Sequence, residues 1–277
     1  MPELPEVEIV TIQLKEWALG KTVTKVTKSY KSLRFEKLSQ PLSKIKNQKI
    51  QNIVRRGKYI IWNLENVCIV SHLGMSGQWK IVLDTSKKEA RNKHTHIEIQ
   101  LSDGAKLEYI DPRRFGCFVL IDSNLQSEFK LLKNLGLEPL SEEFVGDYLW
   151  AQFKGKSALV KNIIMNQSVV VGVGNIYAAE ALFLAKINPM LAGKRVTREQ
   201  SHSLVEQIKL VLLNSIANGG SSIDDFVHVN GQSGNFQNLH LVYGKNNENC
   251  VICATKIKSK FVGGRNTFWC PACQKKR

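Results

Sequence analysis

The stretch His96-Ile97-Glu98-Ile99-Gln100-Leu101-Ser102-Asp103-Gly104-Ala105-Lys106-Leu107-Glu108-Tyr109-Ile110 sets the character of the first half of the chain. Residues 96–101 alternate polar and apolar, Ser102-Asp103-Gly104 supplies a turn, and the alternation resumes through residues 106–110. Successive strand side chains point to opposite faces, so the pattern predicts a hairpin with one buried face. Working outward, Tyr59-Ile60-Ile61-Trp62 and Cys68-Ile69-Val70 are short apolar runs typical of buried strands, and Phe115–Ile121 predicts another. Ahead of them, Val7, Val10, Leu14 and Ala18 fall at helical spacing, with Pro5 in the first turn.

The second half changes character. Residues 158–165 and 176–184 read as helices separated by Val169-Val170-Val171-Gly172-Val173-Gly174-Asn175. A third helix starts at Thr197, where Gln200 completes a capping-box spacing, and runs to Ala217 before Gly219-Gly220. Gly136-Leu137-Glu138-Pro139-Leu140-Ser141 reads as a linker between the halves. From Gly231 onward, glycines, asparagines and cysteines predict loops and a small metal-held module. The expected class is α+β.

With 277 residues, 43% of them hydrophobic, the chain has enough apolar material for two cores. The net charge of +15 is uneven: residues 1–149 contribute +5 and residues 150–277 contribute +10. A basic second half fits a polyanion, but charge alone fits a soluble basic protein equally well. The opening Met1-Pro2-Glu3-Leu4-Pro5-Glu6 has neither the basic nor the apolar region of a signal peptide, and no apolar stretch spans a membrane. A cytoplasmic protein is therefore expected, in which six cysteines serve metal binding or packing rather than disulfides.

Cys250-x2-Cys253-x16-Cys270-x2-Cys273 is the strongest local signal. Two close pairs can set four thiolates around one tetrahedral Zn²⁺ with no open position, so the expected metal is structural. Lys256, Lys258, Lys260 and Arg265 lie between the pairs and point to nucleic acid. Cys68 and Cys117 sit in apolar strands and read as packing residues. The turn Gly172-Val173-Gly174-Asn175 offers backbone N–H groups and a helix start to a phosphate, although glycine turns usually just permit backbone geometry. In His94-Thr95-His96 no third ligand is nearby, and the spacing reads as one inward and one outward histidine.

At the other end, removal of Met1 would expose Pro2 as a free secondary amine. Such an amine can attack C1′ of a deoxyribose and form an iminium, while Glu3 moves protons. By themselves the two residues read more simply as a helix start, which is what Pro and Glu at a terminus usually mean.

Together the motifs resemble the formamidopyrimidine-DNA glycosylase family, 8-oxoguanine glycosylases with abasic-site lyase activity. The matching pieces run in family order: Pro2-Glu3-Leu4-Pro5-Glu6-Val7-Glu8, Arg56-Gly57-Lys58-Tyr59, His72-Leu73-Gly74-Met75-Ser76-Gly77, Asp111-Pro112-Arg113-Arg114-Phe115-Gly116, Gly172-Val173-Gly174-Asn175-Ile176-Tyr177 and Gly264-Arg265. The resemblance implies a catalytic β-sandwich with flanking helices over residues 1–135, a linker over 136–148, a helix-two-turns-helix DNA-binding domain over 149–230, and a lesion loop with a four-cysteine zinc finger over 231–277. DNA would lie between the two main domains. It implies Pro2 as Schiff-base nucleophile, Glu3 as acid/base, Lys58 in β-elimination and Arg265 in δ-elimination and phosphate binding. His72, His94, Arg113, Lys156 and Asn175 would contact DNA, and Cys250, Cys253, Cys270 and Cys273 would hold zinc. Met75, Arg113 and Phe115 would fill the void left by an extruded base, although Met75 and Phe115 read without the resemblance as core residues. The loop Val229–Phe236 would cover the lesion. The family usually has Asp where this chain has Asn166, and loss of that charge is expected to loosen contacts near Lys161.

The resemblance further implies a bacterial, nucleoid-associated monomer that acts on duplex DNA containing an oxidised base, with one structural zinc and no organic cofactor or membrane. Two other readings stay open. An endonuclease VIII-like enzyme for oxidised pyrimidines usually has Gly at the place of Leu4, and a non-catalytic zinc-containing DNA-binding protein would not need Pro2 and Glu3.

Overall fold

The computed structural model describes residues 1–83, 92–222 and 227–275. The chain forms two compact units, Met1–Lys133 with Gly219–Asn235, and Asn134–Asn218 with Phe236–Arg277.

The first unit opens with α1 (Leu4–Ala18) and continues through β1 (Val23–Lys28), β2 (Ile50–Arg56), β3 (Tyr59–Leu64), β4 (Val67–His72), β5 (Gln78–Val82), β6 (Thr95–Leu101), β7 (Lys106–Ile110) and β8 (Cys117–Asp122). The strands build two antiparallel sheets, ordered β1-β6-β7-β5 and β2-β3-β4-β8. Trp62, Trp79, Tyr109 and Phe118 share one core; the Trp79 ring lies 5.2 Å from both Trp62 and Tyr109 and 6.1 Å from Phe118. Their shared burial packs the two sheets face to face as a sandwich, with β4 and β8 buried along almost their whole length. The expected hairpin is β6–β7, closed through Gly104 at φ 88°. The helical stripe Val7, Val10, Leu14 and Ala18 is buried in the same core.

The second unit contains α2 (Gly146–Phe153), α3 (Val160–Ile164), α4 (Asn175–Leu184) and α5 (Arg198–Ala217), then the hairpin β9 (Lys258–Val262) and β10 (Arg265–Trp269). Thr197 and Gln200 form the expected capping box on α5. The first expected helix, residues 158–165, shrinks to the five residues of α3. Leu159 is extended and bridges Ala192, and the Val160 N–H donates to the Leu191 carbonyl, so the backbone there is already committed elsewhere. Among the described residues no helix is long and apolar enough to cross a membrane.

Candidate functional site

In the first unit Pro2 and Glu3 are buried at the N-terminal end of α1. Glu3 is the N-cap, and its N–H donates to Glu6 Oε2 at 2.8 Å in a reciprocal capping box. Glu6 Oε1 accepts the Ser221 N–H at 2.8 Å. One buried carboxylate thus ties the first helical turn to the segment that returns at Gly219. Gln13, farther along α1, accepts the Val229 N–H at 2.9 Å. Sequence reading gave Glu6 and Gln13 no role; the Glu3-x-x-Glu6 spacing was the available signal for the first.

Lys58 lies between β2 and β3 and is buried, close enough to His72 for its charge to be felt there. Burial pushes the His72 imidazole down to about 4, and the positive charges of Lys58 and Arg34 push the same way. His72 is therefore neutral at physiological pH. Its Nδ1 accepts the Gly74 N–H at 2.8 Å, which assigns the ring proton to Nε2 and makes that nitrogen an uncharged donor.

Met75 and Phe115 are 41% and 44% exposed, which corrects their reading as core residues. Both sit on loops rather than strands. Gly74 adopts φ 62°, and a Cβ there would collide with the Phe115 and Gly116 backbone. The Gly116 N–H is taken by Asp111 Oδ2 at 2.8 Å, so the expected strand from Phe115 begins only at Cys117. Arg113 is exposed, its guanidinium 5.0 Å from the Phe115 ring centroid. His94 is partly exposed just before β6, whereas His96 is buried, donates from Nε2 to the Asp111 carbonyl at 3.0 Å, and has its Nδ1 3.0 Å from Ser29 Oγ. Cys68 and Cys117 are buried in β4 and β8 as expected, and burial pushes both thiols up to about 12.

In the second unit Lys156 is exposed beyond α2, and Asn175 is the first residue of α4. The glycine turn before it is less open than its sequence implies, because Gln167 Oε1 accepts the Gly172 N–H at 2.8 Å and Gln167 Nε2 donates to the Val173 carbonyl at 3.1 Å. Asn175 Nδ2 donates to the Asn266 carbonyl at 3.0 Å, leaving that amide a second hydrogen. Lys161, buried, donates to Thr267 Oγ1 at 2.7 Å and the Asn266 carbonyl at 3.3 Å. Asn166 is exposed and its Oδ1 accepts from the Ser168 N–H and Oγ–H at 3.1 and 3.0 Å. Arg265 is exposed at the start of β10, after Gly263 and Gly264 turn the hairpin.

The four thiols of Cys250, Cys253, Cys270 and Cys273 lie within 4.8 Å of one another and are the only metal-competent cluster among the described residues. Sulfur separations of 3.9 Å (Cys250–Cys273), 3.4 Å (Cys253–Cys270) and 3.5 Å (Cys253–Cys273) bracket the about 3.8 Å edge of a tetrahedron with zinc–sulfur bonds of about 2.3 Å. The site fits the ion. Gln274, fully buried, supports it by accepting the Cys270 N–H at 2.9 Å and donating to the Ile187 carbonyl at 2.8 Å.

Three family models divide the chain: the formamidopyrimidine-DNA glycosylase N-terminal domain over residues 1–118, the H2TH domain of the same glycosylase over 135–227, and a zinc finger found in FPG and IleRS over 247–276. With the sandwich and the thiolate cluster, they define a zinc-finger DNA-repair glycosylase of the helix-two-turns-helix class. Formamidopyrimidine-DNA glycosylases of Bdellovibrio bacteriovorus and Pasteurella multocida are 43% and 42% identical to the chain, covering 99% and 100% of it and all of their own length. A Lactococcus lactis Fpg in complex with abasic-site DNA matches at a TM-score of 0.88 and 33% identity, over 99% of this chain and 100% of that one. Another structure of the Lactococcus lactis protein holds DNA containing an oxidised pyrimidine, with a TM-score of 0.88 and 32% identity over the same shares. The chain belongs to the formamidopyrimidine-DNA glycosylase family, enzymes of base-excision repair that act on damaged bases and are both glycosylases and abasic-site lyases.

Proposed function

We propose that this enzyme releases oxidised purines, 8-oxoguanine and formamidopyrimidines, from duplex DNA through the amine of Pro2. The observation that carries the reading is the buried Pro2-Glu3 pair at the start of α1, with the Glu3 N–H fixed on Glu6. Once Met1 is removed, the Pro2 nitrogen attacks C1′, the glycosidic bond breaks, and an iminium joins Pro2 to the sugar. An α-amino group titrates near ~8 against ~10.4 for an ordinary lysine, which favours the neutral nucleophile even after allowance for the greater basicity of a secondary amine. Glu3 protonates the sugar ring oxygen and later transfers protons. Lys58 serves β-elimination and Arg265 δ-elimination.

An intrahelical base is out of reach, so the lesion must leave the stack at a cost of roughly a few kcal/mol. Met75, Arg113 and Phe115 fill the gap; their exposure on two adjoining loops supports this role. His72, Asn175 and Arg265 hold backbone phosphates, contacts that carry no sequence information, and His94 and Lys156 also contact the DNA. The uncharged Nε2–H of His72 suits a contact in which Lys58 already supplies the positive charge. Residues 229–236 cover the base. Cys250, Cys253, Cys270 and Cys273 hold one structural Zn²⁺, whose role is to fold the hairpin that presents Arg265.

Borohydride should trap the mature protein on duplex DNA with 8-oxoguanine opposite cytosine. An uncleaved N-terminal tag, which turns the Pro2 amine into an amide, should abolish trapping yet keep affinity for an abasic-site analogue; undiminished trapping by the tagged protein would defeat the mechanism. An oxidised-pyrimidine duplex run alongside tests the second substrate class, which the Lactococcus lactis complex with such DNA makes specific.

A further inference from the structure

The three wedge residues project from two separate loops, and three tips can fill one void only if something fixes the spacing of those loops. Asp111 is fully buried, and its two carboxylate oxygens part between them. Oδ1 accepts Ser76 Oγ–H at 2.7 Å, one residue from Met75. Oδ2 accepts the Gly116 N–H at 2.8 Å, one residue from Phe115. Ser76 Oγ in turn accepts the Arg113 N–H at 3.2 Å.

The backbone of Asp111 is held as firmly as its side chain. Its N–H donates to the His94 carbonyl at 3.0 Å, and its carbonyl accepts His96 Nε2–H and the Arg114 N–H at 3.0 and 3.3 Å. The fit between the loops leaves no slack: a Cβ at Gly74 would strike the backbone of Phe115 and Gly116 at 2.4 Å.

We infer that Asp111 is a positioning residue for base extrusion, its carboxylate clamping the Met75 loop to the Arg113–Phe115 loop so that the wedge enters the helix as one piece. A buried carboxylate suits this work because both donors would otherwise be left unpaired, and hydrogen bonds to an ionised acceptor are roughly twice as strong as neutral ones. The inference rests on the wedge reading of Met75, Arg113 and Phe115.

The test compares two single-turnover rates in the full-length enzyme: release of 8-oxoguanine opposite cytosine, and strand cleavage at a pre-formed abasic site, where no base has to be extruded. Their ratio cancels any loss of folded protein. Asp111→Ala should lower the ratio by about tenfold, the effect of roughly 1.4 kcal/mol on the extrusion step alone. Asp111→Asn keeps one acceptor oxygen for Gly116 and should fall between Ala and wild type. Ser76→Ala frees the Arg113 N–H but spares Gly116, and should have the smaller effect. If Asp111→Ala does not fold, the Asn and Ser76 variants decide the matter by themselves.

Met75→Ala and Phe115→Ala are measured in the same way. Should they lower the ratio while the Asp111 and Ser76 variants leave it unchanged, the clamp is refuted and the wedge stands. Should neither set change it, the wedge reading fails and the clamp falls with it.

Discussion

The two units solve the same problem with different means. Each must hold irregular backbone still, since loops carry function only when helices and sheets hold them in place. The first unit uses buried carboxylates that reach across to loop N–H groups: Glu6 to Glu3 and Ser221, Asp111 to Gly116 and, through Ser76, Arg113. The second unit uses one such carboxylate and a metal site. Glu180, buried in α4, accepts the N–H groups of Leu241, Val242 and Tyr243 at 2.7, 3.0 and 2.8 Å, just before the chain enters the cysteine module. Beyond that point β9 and β10 form a two-stranded hairpin, a unit that is marginal by itself, and it is held by Ile257 and Phe268 packing with Phe183 of α4 and by the four clustered thiols. The lesson is that a sheet scaffold can orient its loops by hydrogen bonding alone, whereas a short tail needs covalent-strength ligation.

The largest effect should come from removing that ligation. Cys270→Ser is expected to unfold the tail, since zinc binding supplies free energy on the order of 10 kcal/mol to modules of this kind. Affinity for an abasic-site duplex should fall with it, through loss of an ordered Arg265; an unchanged affinity would deny the tail a role in binding.

Next comes Glu180. Glu180→Ala strands three backbone donors and should destabilise the protein by about 4 kcal/mol in denaturant titration. Glu180→Gln keeps the oxygen equivalent to Oε1 for Val242 and Tyr243 but sets an NH₂ against the Leu241 N–H, so about half that loss is expected. Burial raises the Glu180 carboxyl above its ordinary value even against three hydrogen bonds, so the folded state takes up the proton first and the wild type should gain stability relative to Glu180→Gln as the pH is lowered. Equal destabilisation by Ala and Gln would show that packing, not hydrogen bonding, anchors the segment.

The smallest effect concerns His72. Its folded-state value of about 4 lies below the unfolded value near 6.5, so the unfolded chain binds the extra proton first. The stability it contributes is complete above pH 6.5 and is lost as the pH falls towards 4. In His72→Gln the slope of unfolding free energy against pH should flatten across that window; an unaltered slope would mean the ring is not held neutral.

What could be read in the sequence follows from what periodicity encodes. The β6–β7 hairpin, the α1 stripe, the α5 cap and the thiolate quartet each repeat a local rule within a short window, and each is present. The return of residues 219–235 to the first unit has no such rule behind it. It depends on Glu6 and Gln13, more than 200 residues away, accepting single N–H groups. The exposure of Met75 and Phe115 was equally hidden, because an apolar residue beside a strand looks the same whether it turns inward or outward. In the structure Asp111 joins those loops with one carboxylate oxygen for each.

With Pro2 as the nucleophile, the secondary amine at position 2 becomes covalently joined to the damaged strand's sugar. Reducing the reaction on 8-oxoguanine DNA with borohydride, digesting the adduct and sequencing the modified peptide by mass spectrometry tests it most directly. The sugar remnant should sit on the nitrogen of Pro2 in a peptide that lacks Met1. A remnant on Lys58 or any other lysine, or a modified peptide that retains Met1, would contradict the account.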